Sequence, residues 1–215
     1  MISLDHILKD FHHFASPKAE KINNFLQDNL SAYRYHHTLS TVKFAMQLGY
    51  RENFDNTLID MLLIAALGHD ITKEKSPEFH RSLFSKYNRT DFIALPEAIF
   101  HSKSAPYFIN EKFNIDDPAI FHAIFYHSTG CENMPLFSRI IFCADYLASQ
   151  EHWSENEDKS ITDEKISETM LTNLCIQKVC YSITCLISKK LPVQPESLNF
   201  YNKLISENSF NSYGK

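Results

Sequence analysis

The sequence predicts an all-α, single-domain protein, and three observations carry that prediction. Its 215 residues are 44% apolar and 13% aromatic, enough to bury one sizeable core. In segment after segment the apolar residues recur at helical spacing, and Ser-Pro or Asp-Pro pairs open several of these segments. Only four glycines are present, and neither a polar low-complexity tract nor an internal repeat breaks the pattern, which argues against a fibrous or disordered chain.

Taken in order, residues 2–30 read as one or two helices, with Leu4, Ile7, Leu8 and Phe11 at helical spacing and Ser16-Pro17 opening the second. His6, His12 and His13 lie there without a neighbouring carboxylate at ligand spacing and read as surface histidines. A helix follows from Arg34, with Leu39, Val42, Ala45 and Met46 on its apolar face and its end at Gly49. Asn56 is the expected cap of the next, TLIDMLLIAALGHD, which is apolar nearly all round and so is expected to be buried on several sides. Ser76-Pro77 opens a further helix, in which His80 and Arg81 read as a solvated face. Pro106 is expected in the first turn of a helix continuing as YFINEKF. Asp117-Pro118 starts PAIFHAIFYH, and Pro135 starts PLFSRIIFCADYLAS. Residues 150–160, with the single tryptophan Trp153, read as a mobile loop. The rest is a long or broken helical stretch, then Pro192 and Pro195 and a last helix, ESLNFYNKLISEN.

Composition excludes several functions. A formal charge of -5 leaves no broad cationic field for nucleic acid, so no such partner is expected. The amino terminus lacks the basic start and apolar stretch of a signal peptide, and no run is expected to approach membrane-spanning length. A cytoplasmic protein without a membrane partner is the expectation. Cys131, Cys143, Cys175, Cys180 and Cys185 are odd in number and form no CxxC pair, which indicates neither a disulfide framework nor a thiolate zinc site.

Chemistry concentrates at AALGHDITK, residues 65–73, where an apolar run ends in His69-Asp70 with Lys73 one turn later. An imidazole beside a carboxylate suits a divalent first-row ion. A buried carboxylate costs several kcal/mol unless a cation compensates it, which makes a metal a natural partner for Asp70. His37, His101, His127 and Asp145 are the other candidates, each on or at the end of an expected helix. His37 is preferred to His36, because adjacent helical residues point about 100° apart. His122 is the weaker choice on its helix. Six ligands suit two ions, with Asp70 bridging one held by His37, His69 and Asp145 to another held by His101 and His127. Two ions roughly 3.5–4 Å apart stabilise the attacking and leaving oxygens of a phosphoryl displacement. Lys73 is close enough to meet a phosphate, and Ser128, Thr129 and Gly130 follow His127 as small groups able to hold its oxygens.

These residues fall in five ordered motifs: RYHHTL at 34–39, GHDITK at 68–73, FHS at 100–102, YHSTG at 126–130 and ADYLA at 144–148. Together they resemble the HD-domain metal-dependent phosphohydrolases, and more narrowly the bacterial symmetrical diadenosine tetraphosphate hydrolases. The resemblance implies a helical bundle, with an N-terminal helical extension at 1–24, the HD domain at 25–206 and a tail at 207–215. It also implies that the six ligands hold two divalent ions, iron by preference, with manganese, cobalt, nickel and zinc as alternatives. Asp70 and Lys73 would be catalytic, hydroxide held by the metals would attack a central phosphorus, and two ADP would leave. Lys73, Ser128, Thr129 and Gly130 would contact substrate. The chain departs from the family at Cys131, where an arginine is common, at Phe125, where a polar or basic residue is frequent, and at residues 148–150. A different nucleotide substrate, a di-iron oxygenase, a non-catalytic nucleotide sensor and a homodimer are the open alternatives.

Overall fold

The computed structural model describes residues 3–151 and 168–212, and every regular element among them is helical. The order is α1 (Leu4–Asp10), α2 (Pro17–Asn29), α3 (Ala32–Arg51), α4 (Asn56–Gly68), α5 (Pro77–Lys86), α6 (Phe100–Phe113), α7 (Pro118–Tyr126), α8 (Leu136–Glu151), α9 (Glu168–Ser188) and α10 (Pro195–Ser212). Two short 3-10 turns, Thr90–Ala94 and Glu97–Ile99, join α5 to α6. Trp153 and most of the expected mobile loop lie outside the described residues.

Side chains start the helices. Ser16, Ser31, Asp55, Ser76 and Asp117 each accept an amide hydrogen from the first turn that follows, and Pro17, Pro77 and Pro118 occupy positions where an amide would have no helical partner. Each such cap stabilises its helix by about 1 kcal/mol. Three expected boundaries are corrected. Asp55 caps α4, because its carboxylate accepts the Leu58 amide, and Asn56 is the first helical residue. α3 runs through Gly49 to Arg51, ending where the Glu52 amide bonds the Leu48 carbonyl. α6 already starts at Phe100, so Pro106 lies inside the helix, where its ring removes an amide donor from the second turn.

The core is organised by α4. As its composition requires, Leu62, Leu63, Ala65, Ala66 and Leu67 are fully buried, at 0% exposure. α3 packs on α4 and α8, α7 packs on α4, α6 and α8, and α9 lies against α8 and α10. Leu4, Ile7 and Leu8 of α1 and Ala19, Ile22 and Leu26 of α2 join the same core. Each buried leucine or isoleucine is worth about 1.5–3 kcal/mol. Phe84, Phe92, Phe100 and Phe125 make a separate aromatic cluster beside α5.

Two further expectations change. Met170–Ser188 in α9 is long and apolar enough to cross a membrane by length and composition, contrary to the reading that no run approaches that length. Here the helix lies against α8 and α10, burying Leu171, Cys175, Lys178 and Val179 on one side while Tyr181 and Ile187 stay exposed. His80 is buried rather than solvated, because Ser104 of α6 gives its Nδ1 a partner at 2.8 Å. Arg81 does reach the surface, pairing with Glu97.

Candidate metal centre

Five helices deliver side chains to one buried place. His37 lies in the second turn of α3 and Asp145 in α8, and these two helices pack together. His69 ends α4 and Asp70 follows it; a Cβ on the preceding Gly68 would lie 2.2 Å from Ile109 Cδ1, so a side chain there would push this end away from α6. His101 occupies the first turn of α6, its carbonyl accepting bonds from Thr72 and Ser104 at 3.1 and 3.2 Å. His127 ends α7. All four imidazoles and Asp70 are at most 4% exposed.

The six side chains converge. His37, His69 and Asp70 bring ligand atoms within 4.8 Å of one another, and so do Asp70, His101 and His127, with Asp70 common to both groups. Asp70 divides its oxygens between them. Oδ2 lies 4.0 Å from His37 Nε2 and 3.7 Å from His69 Nε2, while Oδ1 lies 3.3 Å from His101 Nε2 and 3.5 Å from His127 Nε2. Asp145 Oδ1 joins the first group, 3.0 Å from His37 Nε2 and 3.7 Å from His69 Nε2.

The hydrogen bonding tests whether a cation fits. His69 Nδ1 donates to the Ala66 carbonyl and His127 Nδ1 to the Ile124 carbonyl, both at 2.7 Å. In the neutral rings this leaves Nε2 as a bare acceptor aimed at carboxylate oxygens. His69 Nε2 and Asp70 Oδ1 are buried without a hydrogen-bond partner. Lone pairs facing lone pairs are costly in a protein interior, and a divalent ion satisfies all of them at once.

Charge states agree with that donor set. Burial, with only partial opposition from Asp70, pushes the His69 pKa down to about 4, so the imidazole is neutral at pH 7. Burial and then the Lys73 ammonium hold His101 well below the ordinary histidine value. Burial pushes the Asp70 carboxyl up, but Lys73 and His69 outweigh it and keep the group well below the usual carboxylate range. Asp145 follows the same pattern, with Lys178 and His37 opposing burial. Neutral imidazoles and ionised carboxylates are the forms that bind metal.

Of the residues expected to meet substrate, Lys73 and Ser128 border the cluster. The Lys73 side chain is one-third exposed, and its Nζ lies 3.0 Å from His101 Nε2 and 4.0 Å from Asp70 Oδ1. Ser128 Oγ is 3.1 Å from the Nε2 atoms of both His101 and His127. Thr129 and Gly130 have other engagements: the Thr129 hydroxyl donates to the Gly130 carbonyl, and the Gly130 amide donates to the Tyr126 carbonyl. Gly130 takes φ +68°, with Phe200 filling the space of a Cβ.

Two cations escaped the sequence reading. Arg34 Nη1 donates to Asp70 Oδ2 at 2.7 Å, and Lys178 Nζ donates to Asp145 Oδ2 at 2.8 Å and to the carbonyls of His127 and Phe142. Arg34 carries a sequence signal, since it stands three residues before His37. Lys178 carries only a lone charge in an apolar helix.

Comparison with known proteins adds three findings. The sequence model of the HD domain matches residues 34–150. The chain is 29% identical over 188 residues to a symmetrical bis(5'-nucleosyl)-tetraphosphatase of Halalkalibacterium halodurans, covering 87% of this chain and 97% of the relative. A protein of the same name from Bacillus subtilis is 26% identical over 183 residues, covering 84% and 94%. Among solved structures, a predicted HD superfamily hydrolase involved in NAD metabolism from Clostridium acetobutylicum superposes with a TM-score of 0.72 at 26% identity, covering 87% and 97%.

Proposed function

The chain belongs to the HD domain family, and from that premise we propose that it is a metal-dependent phosphohydrolase that splits diadenosine tetraphosphate symmetrically into two ADP. The observation that carries the proposal is the pair of three-residue groups sharing Asp70. Support for the substrate comes from the three tetraphosphatase relatives, each aligned over most of this chain.

In this reading His37, His69, Asp70 and Asp145 would hold one divalent ion, and Asp70, His101 and His127 would hold the other. Iron is the preferred metal, while manganese, cobalt, nickel and zinc share this histidine and carboxylate preference. When bound, such a pair supplies Lewis-acid charge for phosphoryl displacement. The protein does the rest. Asp70 fixes the two groups against each other through its two oxygens. Lys73, its side chain one-third exposed, offers an ammonium to the charge that grows on the phosphoryl oxygens. Ser128 presents its hydroxyl at the same edge, and Thr129 and Gly130 shape the turn that holds it there. Burial holds the pKa values of His69 and His101 down, and burial of all four imidazoles excludes bulk water from the ligand atoms.

A cytoplasmic location accords with the free thiols of all five cysteines.

Product analysis tests the proposal. Protein loaded with iron or manganese should convert diadenosine tetraphosphate to ADP alone, and metal analysis should find two ions per chain. Release of AMP with ATP, or no turnover, overturns it.

A further inference from the structure

The turn after α7 repeats the turn after α4. His69 and His127 each stand at the end of their helix in right-handed backbone, at φ -58°, ψ -40° and at φ -60°, ψ -26°. Each ring donates its Nδ1 hydrogen to the carbonyl three residues back, Ala66 or Ile124, at 2.7 Å, and so turns Nε2 into the cluster. The next residue in each case carries an oxygen. After His69 it is Asp70, whose carboxylate serves both groups of imidazoles. After His127 it is Ser128, whose Oγ lies 3.1 Å from His127 Nε2 and 3.1 Å from His101 Nε2.

These distances are those of ligand atoms around one ion. Metal bonds to nitrogen and oxygen of about 2.0–2.2 Å, at angles between a right angle and the tetrahedral one, hold neighbouring donors about 2.8–3.6 Å apart. His101 Nε2 lies 3.2 Å from His127 Nε2, and Asp70 Oδ1 lies 3.3 Å and 3.5 Å from the same two atoms. Ser128 Oγ has the same spacing. A hydroxyl carries one hydrogen and can satisfy only one of the two imidazole lone pairs it faces. An ion that takes both lone pairs removes both partners of the hydroxyl and leaves its oxygen facing the same cation. Serine and threonine hydroxyls hold Mg2+ in phosphate-binding loops by this kind of bond. The first group already has a fourth donor in Asp145, while the second, without Ser128, has three.

We propose that Ser128 Oγ is a metal-ligand atom, completing with Asp70, His101 and His127 a four-donor set that matches the set of His37, His69, Asp70 and Asp145. The proposal rests on the two-metal reading of the cluster and deepens it by adding a seventh side chain. The two sets differ in charge. The first has a carboxylate of its own in Asp145, whereas the second has the shared Asp70 and a neutral hydroxyl, so the second ion is held more weakly and fills last.

Titration of the metal-free full chain with Co2+ tests the assignment. The wild type should take two ions per chain in two steps, with no cobalt–thiolate absorption. Ser128→Cys should add a charge-transfer band in the near ultraviolet during the second step, because a thiol that bonds a metal is deprotonated and a cobalt–thiolate bond gives such a band. Ser128→Ala should weaken the second step about tenfold and leave the first unaltered, and Ser128→Thr should keep the wild-type affinity. The alanine and cysteine variants each change one side-chain atom, and either alone decides if the other fails to fold. A Ser128→Cys chain that takes two ions without the band, or a Ser128→Ala chain with the wild-type second affinity, overturns the assignment and leaves the six-ligand centre standing. A wild-type chain that takes no second ion removes the two-metal centre and the assignment together.

Discussion

Lys178 Nζ lies 2.8 Å from Asp145 Oδ2, and this contact turns the other oxygen of Asp145 toward His37 and His69. The same ammonium bonds the carbonyls of His127 and Phe142, so one side chain of α9 ties α7 and α8 to the cluster. It is 5% exposed, which makes its three oxygen partners the replacement for its hydration.

Lys178→Met should therefore lower metal affinity about 10- to 100-fold, the usual effect of removing a group that orients a ligand. Leaving Asp145 without its cation should also destabilise the metal-free chain by about 3–5 kcal/mol. Competition with a chelator and thermal melting measure the two effects. Unchanged metal affinity with a lowered melting temperature would reduce Lys178 to a structural role.

Lys73→Ala should lower kcat on diadenosine tetraphosphate about 100-fold, as expected when one group that stabilises charge in the transition state is lost. Metal stoichiometry should stay at the wild-type value, because Lys73 supplies a donor rather than a ligand atom. Initial rates and metal content on the same preparation separate the two effects.

His80 predicts a pH effect on stability. Burial holds its pKa below the ordinary value, with weaker opposition from a hydrogen bond to the Lys75 backbone and from the Glu97 carboxylate. The unfolded chain therefore binds a proton at a higher pH than the folded one. Its contribution is fully present above the unfolded pKa of about 6.5 and is lost as pH falls below it, at up to about 1.4 kcal/mol per pH unit. Melting temperature should fall between pH 7.5 and pH 5, and His80→Gln should fall less over the same interval.

Gly130→Ala should destabilise the turn behind His127. The residue has φ +68°, and its Cβ would stand 2.2 Å from Phe200 Cδ1. A left-handed alanine costs about 1–2 kcal/mol, and the overlap with a fully buried ring adds about 1–3 kcal/mol. A fall in melting temperature on the order of 5–10 °C is expected. No fall would mean that Phe200 shifts freely.

Much of the fold was legible because helix starts are local. Ser16-Pro17, Ser76-Pro77 and Asp117-Pro118 each carry cap and first residue within two positions, and all three open helices where expected. Pro106 was misplaced for a complementary reason: a proline signals a first turn only if nothing upstream already holds the helix, and Phe100 in the aromatic cluster does so. His80 was misjudged because the partner that buries it, Ser104, lies 24 residues away.

The sequence by itself determined the helical character, the apolar core and the residue types able to bind metal, since periodicity, caps and an acid set in an apolar run are written within a turn or two of chain. Only the tertiary structure decided how Asp70 faces two groups of imidazoles, and that Arg34 and Lys178 engage Oδ2 of Asp70 and Oδ2 of Asp145. Those relations join residues up to 108 positions apart, as His37 and Asp145 are. Close packing of helices, which local propensity does not specify, sets their distances and with them the electrostatics of the site.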